Sequence, residues 1–302
     1  MKKILVTGSN GLLGQKLTPL ILNSPGFELL ATSKGPNRNS IIKGYRYAEL
    51  DITDENQIEE LVAGFRPDVI INTAAITNVD TCHTQRDLCR RINTEAVETL
   101  VRICEGHDIH LIHLSTDFVF DGKAGPYTED AEPAPLSFYG QSKADAENSI
   151  LSSSCRWTII RTVLVYGAVR NMSRSNILLW VKSSLEKGDA INVVNDQWRT
   201  PTLVEDLAAG CLLAAEKEAT GIFHVSGREM MSILEIAERV ADFWKLNKNL
   251  IRPISSASLN QDAVRPLRTG FIVSKAIKEL GYQPHSFEEG LQIAARSIEP
   301  GE

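Results

Sequence analysis

Short runs that are apolar on both faces alternate with helical stretches through the first half of the chain, and few folds accept that pattern. The runs are KILVTG, FELLATS, YRYAELD, DVIINTAA and HLIHLST. They are rich in β-branched residues and too brief for helices. Between the first two, Leu12, Leu13, Leu17, Leu20 and Ile21 recur at helical spacing. Further helices are expected from about Asp54 to Gly64 and from about Gln85 to Glu105. A strand buried on both faces needs helices above and below it, so the sheet is parallel and doubly wound, an α/β fold. RWTIIRTVLVYG adds another strand, and residues 1–165 are expected to hold the sheet domain.

Beyond about residue 166 the pattern loosens. NILLWVKSSLEKG, LVEDLAAGCLLAAEKE, MSILEIAERVADFWKL, SKAIKELGY and SFEEGLQIAARSI read as helices, and GIFHVSG as a strand. Residues 201–226 are expected to return to the sheet, while 166–302 mainly form a smaller lobe. PISSASLNQDAVRP, between Pro253 and Pro266, is expected to be irregular. The cleft between lobe and sheet is the default ligand site.

Composition narrows the function. The formal charge of -6, with basic residues spread out, argues against a general nucleic-acid binder. No apolar run approaches the roughly 20 residues that span a bilayer, and none after the initial Met resembles a signal peptide. Five cysteines without C-x-x-C spacing suit free thiols in a reducing cytoplasm. Cys82 and Cys89 are seven apart and could share a helix face, with buried thiols the plainer reading. No histidine spacing specifies a metal, and none is expected. His113 falls inside a strand, where a hydrogen-bonded core imidazole is the expectation.

TGSNGLLG follows the first strand and opens the first helix. Gly8, Gly11 and Gly14 there allow a tight turn, close approach to a pyrophosphate, and close packing of helix on strand. Asn10, Leu12 and Leu13 belong to the same loop. The second strand ends ATSKGPNR, where an acid would be expected for an NAD ribose. Ser33, Lys34 and Arg38 suit a 2′-phosphate instead, which leans toward NADPH over NADH; the alternative is two solvated loop charges. Asp51 could reach the adenine end or cap the next helix.

SFYGQSK places Tyr139 and Lys143 four apart, on one helix face. A nearby ammonium favours the phenolate, so Lys143 is expected to lower the Tyr139 pKa. HLSTDFVF supplies Thr116 at a strand's C-terminal end, where its hydroxyl could hold a carbonyl oxygen beside the tyrosine. Thr116, Tyr139 and Lys143 form an expected proton-transfer set.

With TGSNGLLG, NTAAITNVD, STDFVFDG, APLSFYGQSK, RTVLVYG, NDQWRTPT and FHVSG, the chain resembles the extended short-chain dehydrogenase/reductases, which carry a Rossmann fold, and within them the dTDP-4-dehydrorhamnose reductases. The resemblance implies a nicotinamide cofactor touching Asp51, Ile52, Ala74, Ala75, Ile76 and Thr77 as well as the glycine loop, Tyr139 and Lys143. It implies a nucleotide-sugar substrate reduced at its C4 ketone, near Asp117, Leu164, Asn176 and Arg199, and allows a homodimer. An arginine fork such as Arg199 suits a diphosphate, the alternative being a solvated loop charge. Two positions depart from the reductase pattern: Leu164 stands where tryptophan is usual, and Ile177 follows Asn176 where phenylalanine is usual. The chain is also similar to the regulatory β subunit of methionine adenosyltransferase, which implies a binding rather than a catalytic role. A related nucleotide-sugar epimerase would keep the same three residues and recycle its cofactor.

Overall fold

The computed structural model describes residues 1–169, 172, 175–259 and 262–298. Seven parallel strands form one sheet: β1 (Lys2–Thr7), β2 (Phe27–Ser33), β3 (Arg46–Glu49), β4 (Val69–Asn72), β5 (His110–Thr116), β6 (Trp157–Thr162) and β7 (Gly221–His224). Their order is β7-β6-β5-β4-β1-β2-β3. The order reverses beside β1, so the C-terminal ends of β1 and β4 flank a crevice.

Alternation along the strands divides the core. Ile4 and Val6 of β1 pack on one face with α1 (Leu12–Leu22), while Leu5 packs on the other with α2 (Glu55–Phe65) and α3 (Ala96–His107). The second face also takes α4 (Phe138–Leu151), through Ala146 and Ile150. After α5 (Ile177–Glu186), α6 (Val204–Glu216) returns to the first face, with Leu207, Ala208 and Cys211 packed there. A separate apolar cluster joins α5 to α7 (Ile233–Phe243) and α8 (Phe287–Ile298) through Leu178, Val181, Ile236, Val240 and Leu291.

Two expectations need correction. The stretch from Pro253 to Pro266 is not irregular throughout: Ile251–Ile254 is a strand, pairing in parallel with Ile191–Val194. Apolar Ile191, Val193 and Ile251 join the cluster around α7, and burial there favours pairing despite the proline. Cys82 and Cys89 do not share one helix. They lie in Val79–Thr84 and Arg86–Arg90, separated at Gln85, whose backbone leaves the helical region at φ -120°, ψ 61°. The helix expected over Gln85 to Glu105 is present, with a π-helical turn at Arg91–Glu95.

Candidate active site

The glycine loop lies at the crevice, and its shape demands its sequence. Gly8 has φ +67°, and a Cβ there would stand 2.8 Å from the Ala74 nitrogen and the Thr73 hydroxyl. A Cβ on Gly14 would collide with the Ser9 backbone. Gly11 is the N-cap of α1 and supplies no side-chain cap, so the first N–H groups of the helix remain available to an anion. This cradle, which a Cβ would fill, fits a dinucleotide pyrophosphate. Asn10 turns outward from it: its amide donates to the Pro36 carbonyl at 2.9 Å, and its Oδ1 accepts from the Arg38 N–H at 2.8 Å. It thereby ties the cradle to the loop carrying Lys34 and Arg38. Leu12 and Leu13 are half-buried at the start of α1.

At the end of β2, Ser33 is half-buried and Lys34 and Arg38 are exposed. Lys34 pairs with Asp51 at 2.8 Å. Hydrogen bonds from Lys34 and Thr53 hold the Asp51 carboxyl down to about 2. The capping alternative for Asp51 is not realised: Asp54 is the N-cap of α2, accepting from the Gln57 N–H at 3.2 Å. Ile52 buries its side chain in the core. Ala74, Ala75 and Ile76 are half-buried along the crevice and Thr77 is exposed.

Sequence reasoning missed the residue that anchors this turn. Asn93, within the π-helical turn, donates to the Ile76 carbonyl and accepts from the Ile76 N–H, both at 2.9 Å. Its amide also reaches Ser142 at 3.2 Å and Cys89 at 3.4 Å. The signal in the sequence was an asparagine in the middle of the helix expected from Gln85 to Glu105, a position asparagine disfavours; the structure buries it wholly.

The three residues expected to transfer a proton lie at one edge of the sheet, Thr116 at the end of β5 and Tyr139 and Lys143 on α4. Ser137 caps α4 by accepting from the Gly140 N–H at 3.1 Å. Gly140 then lets the helix lie directly on the Phe118 carbonyl, where no Cβ fits. Tyr139 and Lys143 both turn inward and are buried. The Phe118 ring meets the Tyr139 ring edge-on at 5.7 Å, and Thr116, at the end of β5, is the neighbour that opposes the rise of the Tyr139 pKa.

The electrostatics differ from expectation. Lys143 does not draw the Tyr139 pKa down. Burial pushes the phenol well up; Thr116 opposes this, and Asp117, Cys82 and Cys89 add to it. Lys143 instead reaches His113, with Nζ 2.8 Å from Nε2. Burial lowers the Lys143 pKa to about 8, against the pull of Glu147, Cys89 and Cys82. Both His113 ring nitrogens have partners, the other being the Asn72 amide at 3.1 Å.

Asp117 and Arg199 are brought together as a buried ion pair, Nε to Oδ2 3.3 Å. The Arg199 fork also donates to the carbonyls of Trp198 and Pro266, at 2.7 and 2.8 Å. Thr116 and Thr269 donate to the Asp117 carboxylate. Arg199 is therefore neither a solvated loop charge nor an open fork for a diphosphate. It holds the Pro266–Leu267 backbone and Asp117 in place, because a buried guanidinium must satisfy its donors internally. Leu164 is half-buried at φ +42°, a strained conformation for a side chain of its size. Asn176 caps α5, accepting from the Leu179 N–H, and donates to the Gly167 carbonyl at 2.8 Å. Among the described residues, no group of three or more His, Cys, Asp or Glu is arranged to hold a metal.

A phosphate cradle at the switch point of a parallel sheet, with a tyrosine, lysine and threonine at the same edge, defines a nicotinamide-nucleotide-dependent oxidoreductase of the short-chain class. The chain belongs to the RmlD substrate binding domain family, whose profile matches residues 1–299. It is 32% identical to a probable low-salt glycan biosynthesis reductase of Haloferax volcanii, over 95% of both chains. It is also 32% identical to the methionine adenosyltransferase 2 subunit beta of Xenopus laevis, over 84% of this chain and 75% of that protein. Among solved structures, the dTDP-4-dehydrorhamnose reductase of Bacillus anthracis in complex with NADP superposes with a TM-score of 0.83. It is 28% identical and covers 98% of this chain and 99% of that one. Among the described residues, no helix is long and apolar enough to cross a membrane.

Proposed function

We propose that this chain uses NADPH to reduce the C4 ketone of a nucleotide-linked 6-deoxysugar, with dTDP-4-dehydrorhamnose the first substrate to try. The observation that carries the reading is the buried Tyr139, with Lys143 one helical turn on and Thr116 at the end of β5, at the same sheet edge as the glycine cradle. The likeness to the Bacillus anthracis and Haloferax volcanii reductases supports the substrate class.

When bound, the cofactor would supply the hydride. The chain's own residues do the rest. The Thr116 hydroxyl turns from Asp117 to hold the ketone oxygen beside Tyr139. Tyr139, kept protonated by burial, gives its proton to that oxygen as negative charge develops there. Lys143 loses a proton near pH 8 and restores the phenol. Ser33, Lys34 and Arg38 would hold the 2′-phosphate, and Ala74 to Thr77 with Tyr139 and Lys143 the nicotinamide end. Leu164 and Asn176 would face the sugar, with residues beyond 166 as the substrate lobe. Asp117 and Arg199 act on the substrate only through Thr116 and the 266–269 segment. The setting would be the cytoplasm, and a homodimer is open to size-exclusion chromatography.

The test is loss of nicotinamide absorbance when dTDP-4-dehydrorhamnose is added to protein and NADPH. Substrate-dependent oxidation that disappears in Tyr139→Phe is expected. Tight NADPH binding without oxidation would reject this sugar as the substrate, and the same result with other nucleotide-linked 4-keto-6-deoxysugars would reject the reading. It would favour a second one, an NADP-binding regulatory subunit. That alternative draws on the sequestered Asp117–Arg199 pair and on the likeness to the methionine adenosyltransferase subunit. An epimerase would convert its sugar and leave NADPH unchanged.

A further inference from the structure

A row of polar side chains crosses three neighbouring strands inside the sheet. Thr7 of β1 pairs in register with Asn72 of β4, and Asn72 with His113 of β5. Thr7, Asn72 and His113 are each 1% exposed, and Lys143 of α4, at the end of the row, 2%. Polar groups at that depth persist only if they satisfy one another. The Thr7 hydroxyl donates to Asn72 Oδ1 at 2.6 Å, and the Asn72 amide reaches His113 Nδ1 at 3.1 Å. His113 Nε2 lies 2.8 Å from Lys143 Nζ.

The direction of these bonds has a chemical consequence. If Asn72 donates to Nδ1, that nitrogen must be the acceptor, so the ring proton sits on Nε2. Nε2–H can then only donate, and Lys143 must accept with the lone pair of a neutral amine. An ammonium would require every bond in the row to reverse: Nε2 accepting, Nδ1–H donating to Asn72 Oδ1, and the amide donating to Thr7. One contact eases the reversal, which also obliges the Thr7 O–H to give up Asn72 as its acceptor. The Ala74 N–H lies 3.3 Å from Asn72 Oδ1 and 3.4 Å from the Thr7 hydroxyl, so it can exchange acceptors when the amide turns over.

We propose that His113, backed by Asn72 and Thr7, is a positioning residue that serves both charge states of Lys143 by changing tautomer. The inference rests on the proposed role of Lys143 as the group that restores Tyr139. In that step the proton leaves Lys143 Nζ and ends on the phenolate oxygen, with no change of oxidation state. The amine left behind gains Nε2–H as its donor instead of being stranded in the core. His113 itself stays uncharged, because burial and the adjacent Lys143 hold its pKa well below the ordinary value. The other groups facing Lys143 are Tyr139 and Glu147 on its own helix and Cys82 and Cys89 from the short helices. Glu147 is neutralised by Arg161 of β6, while the Cys89 thiol, drawn down to about 7 chiefly by its hydrogen bond with Cys82, can become a thiolate in the same pH range and favours the ammonium. His113 is the neighbour in hydrogen-bond contact with Nζ, and it can answer a change there by moving its own proton without taking a charge.

The experiment is a long-range 1H–15N correlation spectrum of 15N-histidine-labelled protein without cofactor or substrate, with His113 assigned by comparison with His113→Gln. The expected result is a changeover from the Nδ1–H to the Nε2–H tautomer as pH rises through about 8. One tautomer at every pH, or a protonated ring, overturns the inference. Asn72→Asp keeps the shape but can only accept from Nδ1–H, so it should hold that tautomer throughout; an Nε2–H signal in that variant also overturns the inference. Turnover is not part of the readout, so failure to reduce the ketosugar would count against the proposed function alone.

Discussion

Gly140 and the Phe118 carbonyl are in direct contact, with no space for a methyl group between them. This contact sets how deeply α4 sits against the end of β5, and so where the Tyr139 hydroxyl stands relative to Thr116. Gly140→Ala should displace the helix by a fraction of an ångström to about one ångström. Turnover is expected to fall about a hundredfold, the scale seen when a reacting group is misplaced by about 1 Å. NADPH binding should change far less, since the cradle lies on α1. Equal loss of both, measured by titration and steady-state kinetics, would show that the glycine serves folding alone.

Tyr139→Phe removes the proton donor while keeping the ring and its edge-on contact with Phe118. Turnover should fall by at least about a hundredfold with NADPH affinity nearly unchanged. Near-normal kcat would remove Tyr139 from the mechanism.

Lys34 is shared between Asp51 and whatever occupies the end of β2. Lys34→Ala should weaken NADPH more than NADH in a fluorescence titration, and equal weakening would show that Lys34 does not read the 2′-phosphate. The same pair has a pH signature. The Asp51 pKa is depressed in the folded chain, to about 2, below the roughly 3.9 of an unfolded aspartate. Its contribution is present in full above the unfolded value and is lost as pH falls toward 2. Lys34→Ala should flatten that part of the stability curve in acid titrations followed by circular dichroism.

The ion pair of Arg161 and Glu147 is wholly buried, with Nη2 to Oε2 at 2.6 Å and Nε to Oε1 at 3.0 Å. Glu147→Gln leaves the guanidinium uncompensated in the core and should cost about 3–5 kcal/mol of unfolding free energy. Urea denaturation measures this; a change under about 1 kcal/mol would mean that water or another group takes over the charge.

Much of the site was legible because its residues announce themselves locally. Gly8, Gly11 and Gly14 mark a turn within seven residues, and Tyr139 and Lys143 share a helix face by spacing alone. What escaped depends on register and distance along the chain. His113 meets Lys143 thirty residues away, and Asn72 only because β4 and β5 pair with those residues side by side. Arg199 reads as a free fork until the chain folds and Asp117 arrives from β5's end to occupy it. The pairing of Ile191–Val194 with Ile251–Ile254 likewise joins segments that give no sign of each other. The Tyr139 pKa was misjudged because helical spacing indicates proximity to Lys143, whereas burial of the phenol is a property of the whole packed site.

β7 closes the sheet only after a long excursion of the chain. Between the end of β6 at Thr162 and the start of β7 at Gly221 lie roughly 60 residues, about 3–12 s of synthesis at ribosomal rates. For roughly 40 of those residues, up to Val204, Ile112 and Ile160 wait for α6, whose Leu207, Ala208 and Cys211 pack with them in the finished protein. A nascent chain halted there would present an apolar sheet face and an unpaired β6 edge, the surface on which a chaperone or a second nascent chain would act first.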